Sequence, residues 1–423
     1  MRYVVLRNYE RWPEDFGKDI DLLVHPDDFA RHDALVRQLA RDWGLATVVR
    51  PSRGGHWMYY LVRVRAGAPL EGVYLDLRVD LSHLHFEYLP ARVVLEQQRS
   101  CSGVRVPSEA AEALALLLHC VFDKGYVRAD YSGRLLFLLE RAGAQFHALA
   151  DRELGRGWGA RLTAALAAPD TIPRLRARLA VAILWRRPGA LLRYGVTRAR
   201  IIADRLRALV RPPGQLVILV GPDGSGKTTC SELIRRRLGE TRIPVSSVYL
   251  GAQTPLLPTR RLSQKLRKRL TPPGTVKPLK DVTRRQRLRG LVHILADKWL
   301  RYLVHIRPRL VRGEVVVLDR YFYDLRTFPH PLVRRRWVEA LVMRLIPEPA
   351  LAFCLQADPV LIAARKKELT VAETARQIEC YRGLRRWVRN FHEVPADGDL
   401  ASVVSWMSAQ VVRLYARPRP TRC

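Results

Sequence analysis

The sequence predicts an α/β protein. A parallel sheet with flanking helices is expected over 215–423, preceded by an α+β segment over 1–105 and a helical segment over 106–210. Three observations predict it. From Gln215 onward, apolar runs of strand length alternate with helical patterns, the signature of a parallel sheet. Residues 108–210 are rich in Ala, Leu and Arg with helical periodicity, and residues 1–105 carry several short strand-like runs. Arg211-Pro212-Pro213-Gly214 reads as the linker between the two halves.

The elements justify themselves in order. Tyr3–Arg7 and Asp19–Val24 are apolar strands. Pro26–Trp43 is a helix, with Pro26 in its first turn and Gly44 just past its end. Trp57–Val64 and Val73–Val79 are strands, rich in β-branched and aromatic residues. Ser108, followed by Glu112 and a Leu-rich run, predicts a capped helix. Lys124-Gly125-Tyr126 reads as a helix end capped by glycine, contact with a phosphate being the alternative. Trp185, Trp299, Trp337 and Trp387 sit at helical positions and read as core.

Composition narrows the function classes. The 423 residues are 48% apolar, globular in type, and enough for two or three domains. Lys and Arg total 73 against 40 Asp and Glu, a net charge of +33, which favours anionic partners. Only ten of the 73 are Lys. Two segments concentrate the charge: 171–211 holds eleven Arg and one acid, and 260–309 holds sixteen Lys or Arg and two acids. Solvated helix faces, an acceptor site for a multiply anionic substrate, and a membrane or nucleic-acid surface all remain open for them. Ile201, Ile202, Leu206, Leu209 and Val210 among arginines form an amphipathic basic pattern able to lie on anionic lipid. No apolar run reaches the ~18 residues of a membrane span. No secretory signal is evident, and six irregularly spaced Cys show neither a zinc pattern nor a disulfide framework. The expected location is the cytoplasm, with peripheral contact at the inner face of the membrane as a further reading.

The strongest motif follows the strand Gln215–Val220. Gly221-Pro222-Asp223-Gly224-Ser225-Gly226-Lys227-Thr228 fits G-x-x-x-x-G-K-[ST] without a mismatch, and Thr229 continues into a helix. Glycines let backbone N–H groups turn around phosphate oxygens, and the helix aims its positive end at the same anion. Lys227 reaches the β- and γ-phosphates, and the Thr228 hydroxyl serves Mg²⁺. Val315–Leu318 is a buried strand ending in Asp319, whose carboxylate belongs at the ligand-binding edge of such a sheet.

Over 215–415 the chain resembles the thymidylate kinase family of P-loop nucleoside monophosphate kinases. Asp223 at the loop's third position, Asp319-Arg320-Tyr321 after the Walker B strand, and Asp358-Pro359 leading to Arg365-Lys366-Lys367-Glu368 carry the resemblance. It implies that Asp223 approaches the acceptor's sugar, that Arg320 contacts the acceptor phosphate, and that Arg365 closes over the transferring phosphoryl group. The chain departs from the family at Gly251-Ala-Gln-Thr-Pro255, at Phe322-Tyr-Asp-Leu325 and in the basic insert 260–309, all in the acceptor region. The implied activity is ATP- and Mg²⁺-dependent transfer of the γ-phosphate to an unidentified nucleotide, sugar or other anionic acceptor.

A second motif lies near the N-terminus. Asp19 and Asp21, at i and i+2 of a strand, point to one face, and Asp76 sits in another apolar strand. Three such carboxylates suit a two-Mg²⁺ clamp. Residues 1–105 thereby resemble the nucleotidyltransferase superfamily. The family's Gly-Ser is missing, and Arg7-Asn8 stands at roughly that spacing, with Arg7 a phosphate ligand in its place or the site inactive. His56 reads as a loop histidine, with substrate contact as the alternative. Two other functions stay open: a bifunctional nucleotidyltransferase/kinase in activated-sugar or surface polysaccharide metabolism, and a nucleic-acid end-processing or binding protein. The expected partners are ATP and an anionic small-molecule acceptor. An anionic membrane and a homodimer are compatible with the sequence, and nucleic acid is less favoured.

Overall fold

A computed structural model of the chain describes residues 1–15, 19–52, 55–65, 68–250, 256–257, 284–327, 336–365, 370–396 and 398–416. These divide into two compact units, Met1–Val62 with Gly72–Leu206, and Arg63–Glu71 with Arg207–Cys423.

The first unit carries a five-stranded sheet of order β1-β2-β5-β4-β3. Its strands are β1 (Tyr3–Val5), β2 (Ile20–Val24), β3 (Leu45–Ser52), β4 (His56–Arg63) and β5 (Glu71–Arg78), with helix α1 (Phe29–Asp42) between β2 and β3. The expected strands appear within two residues of their predicted ends. β3 was not expected, and it is an edge strand, the place in a sheet where a proline such as Pro51 is tolerated. Two hairpins were also not expected: β6 (Leu81–His83) with β7 (Phe86–Leu89), and β8 (Gln98–Cys101) with β9 (Val104–Pro107). Strands of three or four residues are too short to show a period of two.

A short helix α2 (Ala91–Leu95) lies between the hairpins, and helices α3 (Glu109–His119), α4 (Ala129–Leu154), α5 (Trp158–Ala167), α6 (Ile172–Arg186) and α7 (Gly189–Val210) account for most of the predicted helical segment. The Ser108 hydroxyl caps α3 by accepting from the Ala111 N–H at 3.3 Å. Glu112 takes no part in that cap. It is buried and accepts from Arg134 Nε at 2.7 Å and from the Tyr9 hydroxyl. Gly125, at φ +78°, closes the π-helical turn Cys120–Lys124 by donating its N–H to Cys120 O at 2.8 Å, which is the glycine-cap reading. Leu114, Leu117, Phe146, Leu162 and Ile183 share one core with Val4 and Leu23 of the first strands. The helical segment therefore belongs with the strands that precede it.

The second unit is built on a wholly parallel sheet of order β11-β12-β10-β13-β14. Its strands are β10 (Gln215–Val220), β11 (Val245–Tyr249), β12 (Val315–Asp319), β13 (Leu351–Gln356) and β14 (Phe391–Pro395). Every residue of β12 is buried, as the continuous apolar run requires of a strand covered on both faces. Helix α8 (Lys227–Glu240) follows β10, and helices Arg284–Arg301, Val371–Arg382 and Leu400–Ala416 flank the sheet. Trp299 and Trp387 pack against the core, whereas Trp185 and Trp337 are 84% and 63% exposed, correcting the core reading for those two. Helical spacing alone does not tell which face a tryptophan occupies. No described helix is long and apolar enough to cross a membrane.

The Pro-Pro-Gly linker ends in a tight contact. Gly214 N–H donates to Leu310 O at 2.7 Å, and a Cβ at Gly214 would lie 2.4 Å from Glu314 O and 2.7 Å from Leu310 Cα. Backbone atoms have little room to yield. Gly214→Ala is expected to lower stability by about 1–3 kcal/mol through overpacking, read as a fall in the melting midpoint.

Candidate phosphate-binding site

The parallel sheet brings every strand's C-terminal end to one edge, where ligands of such sheets bind. β10 is central, and its chain leaves that edge through the glycine loop. Gly221 has φ +150°, and a Cβ there would meet Leu355 O at 2.8 Å and Ser225 Oγ at 2.9 Å. Gly226, at φ +85°, is the N-cap of α8, so Lys227, Thr228 and Thr229 form the first turn of that helix. The register of β10 against β12 pairs Leu219 with Asp319, setting Asp319 level with the start of the loop. Thr228 Oγ1 donates to Asp319 Oδ2 across that gap.

The loop's polar groups converge. Lys227 is 6% exposed, and its Nζ donates to Pro222 O at 2.6 Å and lies 3.6 Å from Asp223 Oδ1. Burial pushes the Lys227 ammonium below its usual pKa range, with Asp223 and Asp319 opposing the shift. Ser225 Oγ and Asp319 Oδ1 are buried without a hydrogen-bond partner among the described residues. One carboxylate and one hydroxyl side by side suit Mg²⁺, which keeps several waters and takes phosphate oxygens for its other positions. Gly221, Gly224, Ser225, Gly226, Lys227, Thr228 and Thr229 are thus all brought to one loop and helix start.

Arg320 follows β12 at φ +69°, uncommon for a residue with a side chain. Its guanidinium turns to Asp223 Oδ1, with Asp324 Oδ2 3.8 Å away. Asp324 is buried in the 3₁₀ turn Phe322–Arg326 and accepts from the Tyr381 hydroxyl at 3.1 Å. The structure thus joins Asp223 and Arg320, two residues for which the resemblance implies separate contacts with the acceptor. Arg365 ends helix Pro359–Arg365, whose N-terminus is capped by Asp358 Oδ1 accepting from Val360 N–H at 2.8 Å. The side chain of Arg365 and residues 366–369, hence most of the expected lid, lie outside the described residues, as do 251–255 and 258–283.

Sequence reasoning missed a buried group on helix Arg284–Arg301. Lys298 donates to Tyr321 O at 3.0 Å and contacts Leu250 O at 3.4 Å, while Arg301 donates to Tyr249 O at 2.8 Å. These carbonyls end β11 and follow β12. Lys298 and Arg301 are 6% and 4% exposed, so the solvated-face reading fails at these two positions of the basic insert. Charge reads as solvent-facing in a sequence, and the only hint is their i, i+3 spacing beside Trp299.

The N-terminal carboxylates come together differently from expectation. β2 and β5 run parallel with Asp21 paired to Asp76, so these two share a face, while Asp19 precedes the first strand residue. Arg7 Nη2 lies 2.6 Å from Asp21 Oδ2, and Arg78 Nη2 lies 3.0 Å from Asp76 Oδ2. Arg7 also donates to the Tyr131 hydroxyl at 3.0 Å. Among the described residues no group of three or more His, Cys, Asp or Glu is placed to hold a metal ion. Two guanidinium groups thus sit against two of the three carboxylates expected to clamp two Mg²⁺ ions, while Asp21 Oδ1 is buried without a hydrogen-bond partner among the described residues. His56 opens β4 with its Nε2 against Asp76 Oδ1, correcting the loop-histidine reading. Burial raises the pKa of Asp21, with Arg7 opposing; burial would also raise that of Asp76, but His56 and Arg78 hold it below the usual range. No protein-family model and no curated protein matches the chain, so the reading of both sites rests on their geometry.

Removing Arg7 would leave Asp21 as a buried, unpaired charge. Arg7→Ala is expected to destabilise the protein by about 3 kcal/mol, and Arg7→Ala with Asp21→Asn to recover part of that loss, both read by denaturant unfolding.

Proposed function

We propose that the chain is an ATP-dependent phosphotransferase of the thymidylate kinase-like P-loop class, moving the γ-phosphate of ATP to an anionic acceptor. One observation carries the reading. The glycine loop, Lys227, Thr228 and Asp319 converge at the central strand of a parallel sheet, leaving Ser225 Oγ and Asp319 Oδ1 buried and unpartnered. A buried unpaired oxygen costs about 1–3 kcal/mol, a cost that a bound phosphate and its cation would relieve.

In this reading the loop's N–H groups and the start of α8 bind the β- and γ-phosphates. Lys227 exchanges its bond to Pro222 O for phosphate oxygens. Thr228 and Asp319 would hold Mg²⁺, which when bound neutralises charge on the phosphates. Arg320 and Asp223 face the same edge, and their ion pair opens to receive the acceptor, Arg320 taking its anion and Asp223 a hydroxyl. Catalysis then consists of positioning and charge stabilisation. The substrate chemistry beyond a negatively charged acceptor is left to a screen of nucleotides, sugar phosphates and lipid-linked phosphates for ATP-dependent gain of one phosphoryl group. Nucleotidyl transfer at Asp21 and Asp76 is not favoured, since each carboxylate holds an arginine where that chemistry uses metal ions.

Lys227→Ala is expected to reduce phosphoryl transfer by about a thousandfold or more, with the melting midpoint essentially retained. Wild-type turnover in that variant would end the proposal. Arg320→Ala is expected to raise the acceptor KM more than the ATP KM in steady-state kinetics, and a selective rise for ATP would move Arg320 to the donor side.

A further inference from the structure

Helices α6 and α7 expose apolar surface that nothing in the phosphate site uses. On α7, Leu192, Val196, Ala199, Ala203 and Leu206 recur every three or four residues and so form one stripe along the helix. Leu192 is 73% and Leu206 59% exposed, and Leu191 and Ile202 widen the stripe, while Ala190 and Ile201 on the opposite side are buried. At roughly 100° per residue, Arg200 borders the stripe on one side and Arg198 and Arg205 on the other. These three arginines make no ion pair among the described residues, whereas Arg193 reaches Glu87 at 3.3 Å. On α6, Arg174, Arg178, Val181 and Trp185 occupy one face by the same spacing, with Trp185 the most exposed large apolar side chain described.

We propose that the exposed stripe of α7, a helix that begins four residues after Trp185 of α6, docks on an anionic lipid surface. Charge complementarity selects that occupant. Residues 172–206 hold nine Arg and one acid, and with Arg187 and Arg193 paired to Glu153 and Glu87 the remaining excess of positive charge favours an anionic partner. A second copy would bring the same arginines to the face. A nucleic acid would meet the arginines but gain little from an aliphatic stripe, because single-strand recognition relies on aromatic platforms. An in-plane amphipathic helix uses both features, with its apolar side chains entering the headgroup boundary and its arginines meeting phosphates. Tryptophan favours that same boundary.

The test is co-sedimentation of the full chain with phosphatidylcholine vesicles that contain or lack phosphatidylglycerol. The wild type is expected to sediment with the anionic vesicles alone, less so at high salt. Leu192→Glu with Leu206→Glu is expected to lower that partitioning about tenfold or more, and Trp185→Ser severalfold. Trp337→Ser, at an exposed tryptophan elsewhere, is expected to leave it unchanged. Circular dichroism and melting curves like those of the wild type establish that the variants fold, as exposed sites should allow. Four results would overturn the proposal: no vesicle binding by the wild type, equal binding to neutral vesicles, undiminished binding by the double variant, or a halved solution mass in that variant, which would make the face a contact between two copies.

Discussion

The register of β10 against β12 is the constraint on which the second unit's site depends. Pairing Leu219 with Asp319 brings the end of one strand level with the loop that leaves the other. Because the strands are parallel, a slip of one residue would turn Asp319 to the opposite face and separate it from Thr228. Register is protected by burial on both sides, with Ile218 and Leu318 in one core and Val217 and Val317 completely buried on the other face. The geometry of a few polar atoms is thus fixed by apolar packing along the two strands.

Both units place arginine beside carboxylate, with different consequences. In the first, Arg7 and Arg78 sit against Asp21 and Asp76 on the floor of a sheet, and the pair of acids is neutralised by the pair of bases. In the second, Arg320 spans Asp223 and Asp324 at the mouth of the glycine loop, where Asp223 keeps about a third of its side chain exposed. Asp21 keeps only 2% of its side chain exposed, so losing its arginine strands a buried charge, whereas Asp223 can meet water when its partner turns to a ligand.

The strands around the glycine loop were legible because burial on both faces leaves continuous apolar runs, as in Gln215–Val220 and Val315–Leu318. The loop residues were legible because their spacing is tied to one chemistry. The short hairpins of residues 81–107 left no such trace. Nor did the inward turn of Lys298 and Arg301, since their partners are backbone carbonyls, which carry no side-chain signature. At the N-terminus the acids were found but their partners were not. Arg78 lies two residues beyond Asp76 on the same strand, a spacing that sets both on one face, yet the acids read alone suggested metal.

Asp297 has one further consequence. Its Oδ1 accepts the N–H groups of Leu256 and Leu257 at 2.7 and 3.0 Å, while its neighbour Lys298 holds the strand ends. Adjacent residues of one helix thus hold two kinds of backbone group at once, N–H groups through a carboxylate and carbonyls through an ammonium, so sliding this helix along its axis would break both sets of bonds together.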